Sequence, residues 1–489
     1  MAIMNDATRQ FVQQHADDDV RLLALQAHAT AGIDLPWALD QIRGRQVARR
    51  KVPSWAAVDG IVYPPHLSME QCSSEATARY KAQLVRRLLD GAAPSPVPLF
   101  ADLTGGFGVD FSLMAKAAAG RRRVYVERNP QLCDLARHNL LLLGLGDAEV
   151  VCATADEFLA ARLQEGVGDC LFYLDPARRD DHGGRTYALA DCSPNVLELL
   201  DKVTKYQGNK VTKYQGNKGP RACSLSEQSG ERTKYQGTTS LLAFGAKRRK
   251  NKVPRYQGGE CVFLLKLSPM LDWRKAVGDL GPQTVSEVHI VSVQNECKEL
   301  LVLLEPGAPA ACAPDGGGET RTTAPITLCC VNDDQAFRLP STVADCAALP
   351  YGRPEVGQLL MEPNASIMKA GCFGALSQRF RLAPLARDSH LFVPSAAPDG
   401  ASGGEGGAFP GRVFRIGAVT TMGKRELRHA LQGIDRANIA TRNFPLKADE
   451  LRRRLKLRDG GDTYIFGTTL ADGSHVLIVC RKAEEQKNF

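Results

Sequence analysis

Phe100-Ala101-Asp102-Leu103-Thr104-Gly105-Gly106-Phe107-Gly108-Val109-Asp110 is the stretch that decides the fold. An apolar run, Leu99–Leu103, carries an acid and breaks into a glycine-rich turn, after which Val109 opens a helix. Glycines let a backbone come close to a ligand, because a β-carbon would obstruct it, so this is a cofactor turn between strand and helix. Outward from it, short apolar runs recur at Arg123–Val126, Glu149–Cys152, Cys170–Leu174 and Cys261–Leu267, alternating with helical stretches. That alternation predicts an α/β parallel sheet with crossover helices. Val288–Val293 and Leu300–Leu304 predict an antiparallel hairpin at its edge, and Ile326–Val331 a further strand.

Acids follow the strands in register. Glu127 ends Val124-Tyr125-Val126-Glu127, about twenty residues beyond the turn, where an acid can accept hydrogen bonds from both hydroxyls of a ribose. Asp156, in Ala153-Thr154-Ala155-Asp156, follows the third run, where an adenine amino group would lie. Asp175, in Leu174-Asp175-Pro176-Ala177-Arg178, ends the fourth, beside a reacting centre. Taken singly, Asp102 or Asp156 reads as a helix N-cap; acids placed after consecutive strands read as one site. A dinucleotide dehydrogenase is disfavoured, because the turn lacks GxGxxG spacing and the fourth run ends in Asp-Pro.

In this order the motifs resemble the class I S-adenosylmethionine-dependent methyltransferases over roughly residues 98–335. The resemblance implies a Rossmann-like sheet and S-adenosyl-L-methionine as cofactor. Asp102 with Thr104, Gly105, Gly106 and Gly108 would hold its methionine part, Glu127 its ribose and Asp156 its adenine. The catalytic residues would be Asp175, Pro176 and Arg178, with Asp175 positioning the acceptor, Arg178 contacting phosphate or base, and Trp273 stacking on it. The bland readings are a surface ion pair for Arg178 and a core position for Trp273. Amine methyltransferases carry (D/N)-P-P-(Y/F), from which Asp175-Pro176-Ala177-Arg178 departs, lacking the second proline and the aromatic. The motif is closer to the D-P-P-R of RNA uracil-C5 methyltransferases, yet Leu264-Leu265-Lys266-Leu267-Ser268-Pro269-Met270-Leu271-Asp272-Trp273 lacks their cysteine nucleophile.

More specifically, the chain resembles a bacterial methyltransferase family with a C-terminal THUMP-like domain. The matching stretches are Leu67-Ser68-Met69-Glu70-Gln71-Cys72-Ser73-Ser74-Glu75, Asp175–Arg179, Leu267–Asp272, Glu362-Pro363-Asn364-Ala365-Ser366 with the residues to Gly371, and Thr441-Arg442-Asn443-Phe444-Pro445-Leu446. THUMP domains proper bind RNA, so the resemblance implies RNA as substrate, and with the Asp-Pro after the fourth run we expect a nucleobase of RNA as the target. A protein or small-molecule methyltransferase, and a non-catalytic RNA-binding protein that keeps the fold, are the other readings. Gln71, with Ser73 and Ser74, reads as a helix start lying over the cofactor or as ordinary capping. Arg442-Asn443-Phe444 with Arg452-Arg453-Arg454-Leu455-Lys456 reads as an RNA-facing basic patch or a solvated helix face.

The chain of 489 residues has room for several domains, and 44% hydrophobic with 24% charged residues excludes a fibrous or disordered chain. We expect an N-terminal helical domain (1–90), a methyltransferase domain (91–340), a small α+β connecting domain (350–410) and a THUMP-like α+β domain (411–489). A helix running to about Leu89 is expected from the capping-box spacing of Ser68 and Gln71. Residues 203–258 repeat Tyr-Gln-Gly without an apolar pattern and read as a disordered insertion, or as an RNA-binding segment through Lys247-Arg248-Arg249-Lys250. The 14 cysteines contain no CxxC pair, which predicts reduced thiols and no metal site. The absence of a long apolar run or a basic-apolar leader predicts a cytoplasmic protein away from membranes, and the net charge of +8 suits a polyanionic partner.

Overall fold

The computed structural model describes residues 5–26, 32–64, 69–70, 72–90, 99–166, 169–177, 189–215, 261–305, 325–395 and 408–483. Leu99–Asp102 (β1) is apolar up to its terminal Asp102 and buried along its whole length, which places it inside a sheet covered on both faces. With it run Arg122–Glu127 (β2), Glu149–Cys152 (β3), Cys170–Leu174 (β4) and Cys261–Leu267 (β5), all parallel. Val285–Val293 (β6) and Glu296–Leu304 (β7) form the expected hairpin, and β7 lies antiparallel against β5. Thr327–Asn332 (β8) and Gln335–Pro340 (β9) extend the edge, giving the order β3-β2-β1-β4-β5-β7-β6-β8-β9. After β3 the chain crosses back to the far side of β1. The crevice above the C-terminal ends of β1 and β4 is therefore the switch point, where open α/β sheets bind ligands.

Local signals account for the connecting helices. Asn129 caps Pro130–Leu142, and Thr154 with Glu157 forms a capping box on Ala155–Glu165. The helix ahead of β1 starts later than Ser68 and Gln71 suggest: it spans Glu75–Asp90, with Ser74 Oγ accepting from the Thr77 amide at 3.3 Å. Ser68 and Gln71 themselves lie outside the described residues. The disordered reading of 203–258 also needs correction at its start. The helix Val196–Gln215 runs through the first repeat, because Val203 continues the stripe of Val196, Leu199 and Leu200 and is buried with them. Residues 216–260 lie outside the described part.

Asp6–Gln14, Val20–Gln26 and Leu35–Lys51 form the N-terminal helical region. It grips the back of the glycine turn. Trp55 meets the Phe107 ring edge-on at 4.8 Å and donates from Nε1 to Ser112 Oγ at 3.2 Å. The extended segment around Val62 joins no sheet, so its backbone is satisfied by buried amides: Asn139 takes both groups of Val62 and Gln41 both groups of Tyr63, at 2.8–2.9 Å.

A second sheet holds Leu359–Pro363 (β10), Leu382–Pro384 (β11), Phe392–Pro394 (β12), Gly411–Thr420 (β13), Asn438–Arg442 (β14), Thr463–Thr469 (β15) and His475–Lys482 (β16), ordered β11-β12-β10-β13-β16-β15-β14. The helical stretch Ala365–Phe380 is split at Gly371, whose φ of +69° ends Ala365–Ala370 before Phe373–Phe380 begins. Asn295, in the β6–β7 turn, accepts from the Ala365 amide at 2.8 Å, and Gln335 accepts from Asn364 Nδ2 at 2.9 Å. The two sheets thus meet at the start of this short helix. Trp273 belongs to the same contact: its buried indole donates to the Ala370 carbonyl at 3.0 Å, with the Arg274 guanidinium over the ring at 4.4 Å. The indole is occupied by packing, so it has no free face to stack on a substrate.

Candidate active site

The turn after β1 is braced by its own side chains. Asp102 is 1% exposed, and its Oδ1 accepts from the Thr104 amide at 2.9 Å. Glu127, at the end of β2, accepts from the Gly106 amide on Oε2 at 2.9 Å and from the Asn129 amide on Oε1 at 2.8 Å. The Tyr125 hydroxyl donates to the Gly106 carbonyl at 2.5 Å. Gly106 and Gly108 sit at φ of +55° and +89°, where β-carbons are strained. Gly105 is held by crowding instead, since a β-carbon there would lie 2.2 Å from the buried Tyr125 ring. We expect Gly105→Ala to cost about 1–3 kcal/mol by overpacking, read as a lowered midpoint of thermal unfolding; an unchanged midpoint would show that the ring can move aside.

Neither Asp102 nor Asp156 is a helix N-cap. Burial raises the Asp102 carboxyl well above the ordinary carboxylate range; the Thr104 amide opposes this, and Asp110, Asp175 and Glu127 reinforce it. An arriving cation would relieve that penalty. Asp156 is the second residue of its helix, behind the Thr154 cap, and is half-exposed in an ion pair with Lys202. Asp175 lies at the end of β4, where its amide donates to Thr104 Oγ1 at 2.7 Å, tying it to the glycine turn. Pro176 follows, and Ala177 pairs with Ser193 through backbone bonds of 2.8 and 3.0 Å. Asp102, Thr104, Gly105, Gly106, Gly108, Glu127 and Asp175 are thus drawn together around one turn, whereas Gln71 and Arg178 lie outside the described residues.

Beneath Asp175 lies a charge network that the sequence reading missed. Lys81 is wholly buried; its Nζ lies 2.9 Å from Asp110 and 2.8 Å from both carboxylate oxygens of Glu299, and donates to Ser73 Oγ at 2.9 Å. Ser73 and Tyr173 donate to Asp110 Oδ2 at 2.7 and 2.8 Å. Ser73 is therefore a network residue and Ser74 the cap. Lys266, on β5, reaches Asp175 Oδ2 at 2.5 Å. Burial would push the Lys266 ammonium down, but Asp175, Glu299 and Asp110 outweigh it and push it up, keeping the charge. Burial likewise favours a protonated Asp110, yet Lys81 and Lys266 prevail and hold it below its ordinary value. The one signal in the sequence was a charged residue inside otherwise apolar runs, Lys266 in Cys261–Leu267 and Glu299 beside Leu300–Leu304.

The C-terminal basic patch is partly spent on structure. Arg442 and Arg412 both pair with Glu362, which is 1% exposed. Arg452 bonds Asp449 and Asp459 at 2.7 Å, and Phe444 packs over Gly467. Arg453, Arg454 and Lys456 remain exposed.

Known proteins share this plan. A family model described as THUMP domain-like matches residues 411–482, and one described as a ferredoxin-like domain matches residues 359–399. Uncharacterized S-adenosylmethionine-dependent methyltransferases of two Mycobacterium tuberculosis strains, CDC 1551 and H37Rv, are each 24% identical over 462 residues, covering 93% of this chain and 99% of theirs. The crystal structure of a protein assigned as a methyltransferase from Porphyromonas gingivalis W83 is 26% identical, covers 98% of each chain and superposes with a TM-score of 0.69. Among the described residues, no helix is long and apolar enough to cross a membrane. With a Rossmann-like sheet, acids gathered at its switch point and a THUMP-like C-terminal domain, the chain is a homologue of the S-adenosylmethionine-dependent methyltransferases.

Proposed function

We propose that this enzyme transfers a methyl group from S-adenosyl-L-methionine to RNA, in the cytoplasm. The observation that carries the reading is the convergence of Asp102, Glu127 and Asp175 on one glycine turn at the switch point of the sheet. When bound, the cofactor supplies a methyl group on a positively charged sulfur. The buried Asp102 gives that cation, or the neighbouring ammonium, a counter-charge. Each Glu127 oxygen already holds one backbone N–H and keeps a lone pair for a ribose hydroxyl. Asp156 would exchange Lys202 for the adenine amino group. In this reading residues 1–90 back the cofactor turn, 91–340 form the catalytic domain, and 350–410 tie it to the THUMP-like domain at 411–489. Support for RNA as acceptor comes from that domain and from the exposed cations it carries. A nucleobase target rests on the Asp-Pro after β4 alone, and the side chains around Asp175 bear on it below.

The test has two readouts. Calorimetry is expected to show cofactor binding that weakens roughly 10–100-fold in Asp102→Ala, the loss of one charge-assisted contact. Labelled methyl groups are expected in RNA from the protein's own cell. A label confined to ribonuclease-resistant product would instead support the protein or small-molecule reading.

A further inference from the structure

Methyl transfer needs an acceptor lone pair aligned with the methyl carbon, and the groups beside that lone pair select which acceptors fit. Two lysines lie near Asp175, and their burial separates their roles. The Lys81 side chain is 0% exposed and saturated by Asp110, Glu299 and Ser73, which makes it a structural cation. Lys266 is 13% exposed and its partner Asp175 35% exposed, so this pair faces the crevice. Of the three donors on Lys266 Nζ, one goes to Asp175 Oδ2. Among the described residues, Asp175 Oδ1 holds no bond. The crevice therefore presents an ammonium donor and a carboxylate acceptor side by side, at the C-terminal ends of adjacent parallel strands.

An exocyclic base amine fits this pair badly. Its single lone pair is delocalised into the ring, so it has none to spare for the ammonium. A ring nitrogen has one lone pair and would lose it to Lys266. A hydroxyl matches on every count: its proton goes to Asp175, one lone pair accepts from Lys266, and the other is free to attack. We propose that Lys266 and Asp175 form a catalytic pair for O-methylation, and that the acceptor is a ribose 2′-hydroxyl of RNA.

In that step the hydroxyl oxygen forms a bond to the methyl carbon while the carbon–sulfur bond breaks, its electron pair staying on sulfur, which becomes a neutral thioether. The hydroxyl proton passes to Asp175. Lys266 remains an ammonium and stabilises the negative charge that builds on oxygen as the proton leaves. Asp110 and Glu299, held in place by Lys81, act from behind by keeping Lys266 charged. This inference rests on the RNA reading above and moves the target from the nucleobase to the sugar, the 2′-hydroxyl being the group that distinguishes RNA from DNA.

The test uses the full chain, methyl-labelled S-adenosyl-L-methionine and total RNA from the protein's own cell, followed by complete alkaline hydrolysis. Alkali cleaves RNA through the 2′-hydroxyl, so a 2′-O-methyl group leaves the label in alkali-resistant dinucleotides; that is the expected result. Label in mononucleotides would overturn the ribose proposal while sustaining the RNA reading, and RNA without label would overturn both. Lys266→Met is expected to lower transfer about 100-fold or more with cofactor affinity within about threefold of wild type. Transfer by Lys266→Met within about threefold of wild type would remove Lys266 from catalysis. Should that variant fail to fold, Lys266→Arg and the wild-type product analysis decide the matter.

Discussion

Lys81→Met is expected to destabilise the first sheet by about 3–5 kcal/mol or more. The substitution keeps the length of the side chain but leaves Asp110 and Glu299 buried without the cation that both of them hold. All three tryptophans, Trp37, Trp55 and Trp273, belong to the part of the chain built around this sheet, so their fluorescence during denaturant unfolding reports on it. The acid limb carries a second signature. Asp110 lies below its ordinary carboxylate value in the folded protein, so the stability it contributes is present above the unfolded-state value and is lost as pH falls through the folded one. In Lys81→Met the carboxyl loses its main counter-charge and rises, so that part of the acid dependence should flatten. A midpoint shifted by less than about 0.5 kcal/mol, with the acid limb unchanged, would show that the network is solvated rather than buried.

Asp175→Ala is expected to lower methyl transfer about 10²–10⁴-fold, the usual weight of a positioned proton acceptor, while leaving cofactor affinity within about threefold of wild type. The backbone amide of residue 175, which donates to Thr104 Oγ1, is untouched by the change, so the glycine turn keeps its brace. Asp175→Asn separates the remaining roles, since it retains size and one hydrogen-bond acceptor but takes up no proton. If proton removal is the role, Asn falls as far as Ala; if positioning alone matters, Asn retains much of the rate. Single-turnover measurement of labelled methyl transfer distinguishes these. Asp175→Ala keeping more than about a tenth of the wild-type rate would move the chemistry away from the end of β4.

The sheet was legible because its evidence is local. Runs such as Cys170-Leu171-Phe172-Tyr173-Leu174 are apolar throughout, strands buried on both faces need that, and helical spacing between them leaves parallel pairing as the natural solution. The glycine turn was legible for the same reason, since Asp102, Thr104 and Gly105 to Gly108 are contiguous and Glu127, which braces it, follows at a fixed interval. Trp273 admitted two readings because stacking on a substrate and packing in an interface call for the same residue type, and the structure places it in the core. The Ala370 carbonyl that engages its indole lies 97 positions further along the chain. The repeat at Val203 was misread because Val203 and Tyr206 belong to the helix starting at Val196, whose apolar stripe continues across the composition change.

By itself the sequence determined the order of the elements, which faces are apolar, and where acids fall relative to strand ends, because these follow from period, propensity and adjacency. Only the tertiary structure decided which charges meet. Lys81 comes from the helix before β1, Asp110 from the helix after it, Lys266 from β5 and Glu299 from β7, with 218 positions separating Lys81 from Glu299. Periodicity says that such a side chain points inward, but an ion pair also needs two inward positions to be brought within hydrogen-bond reach. Strand order and the seating of a helix on the sheet set that distance, through packing and register spread over the whole domain.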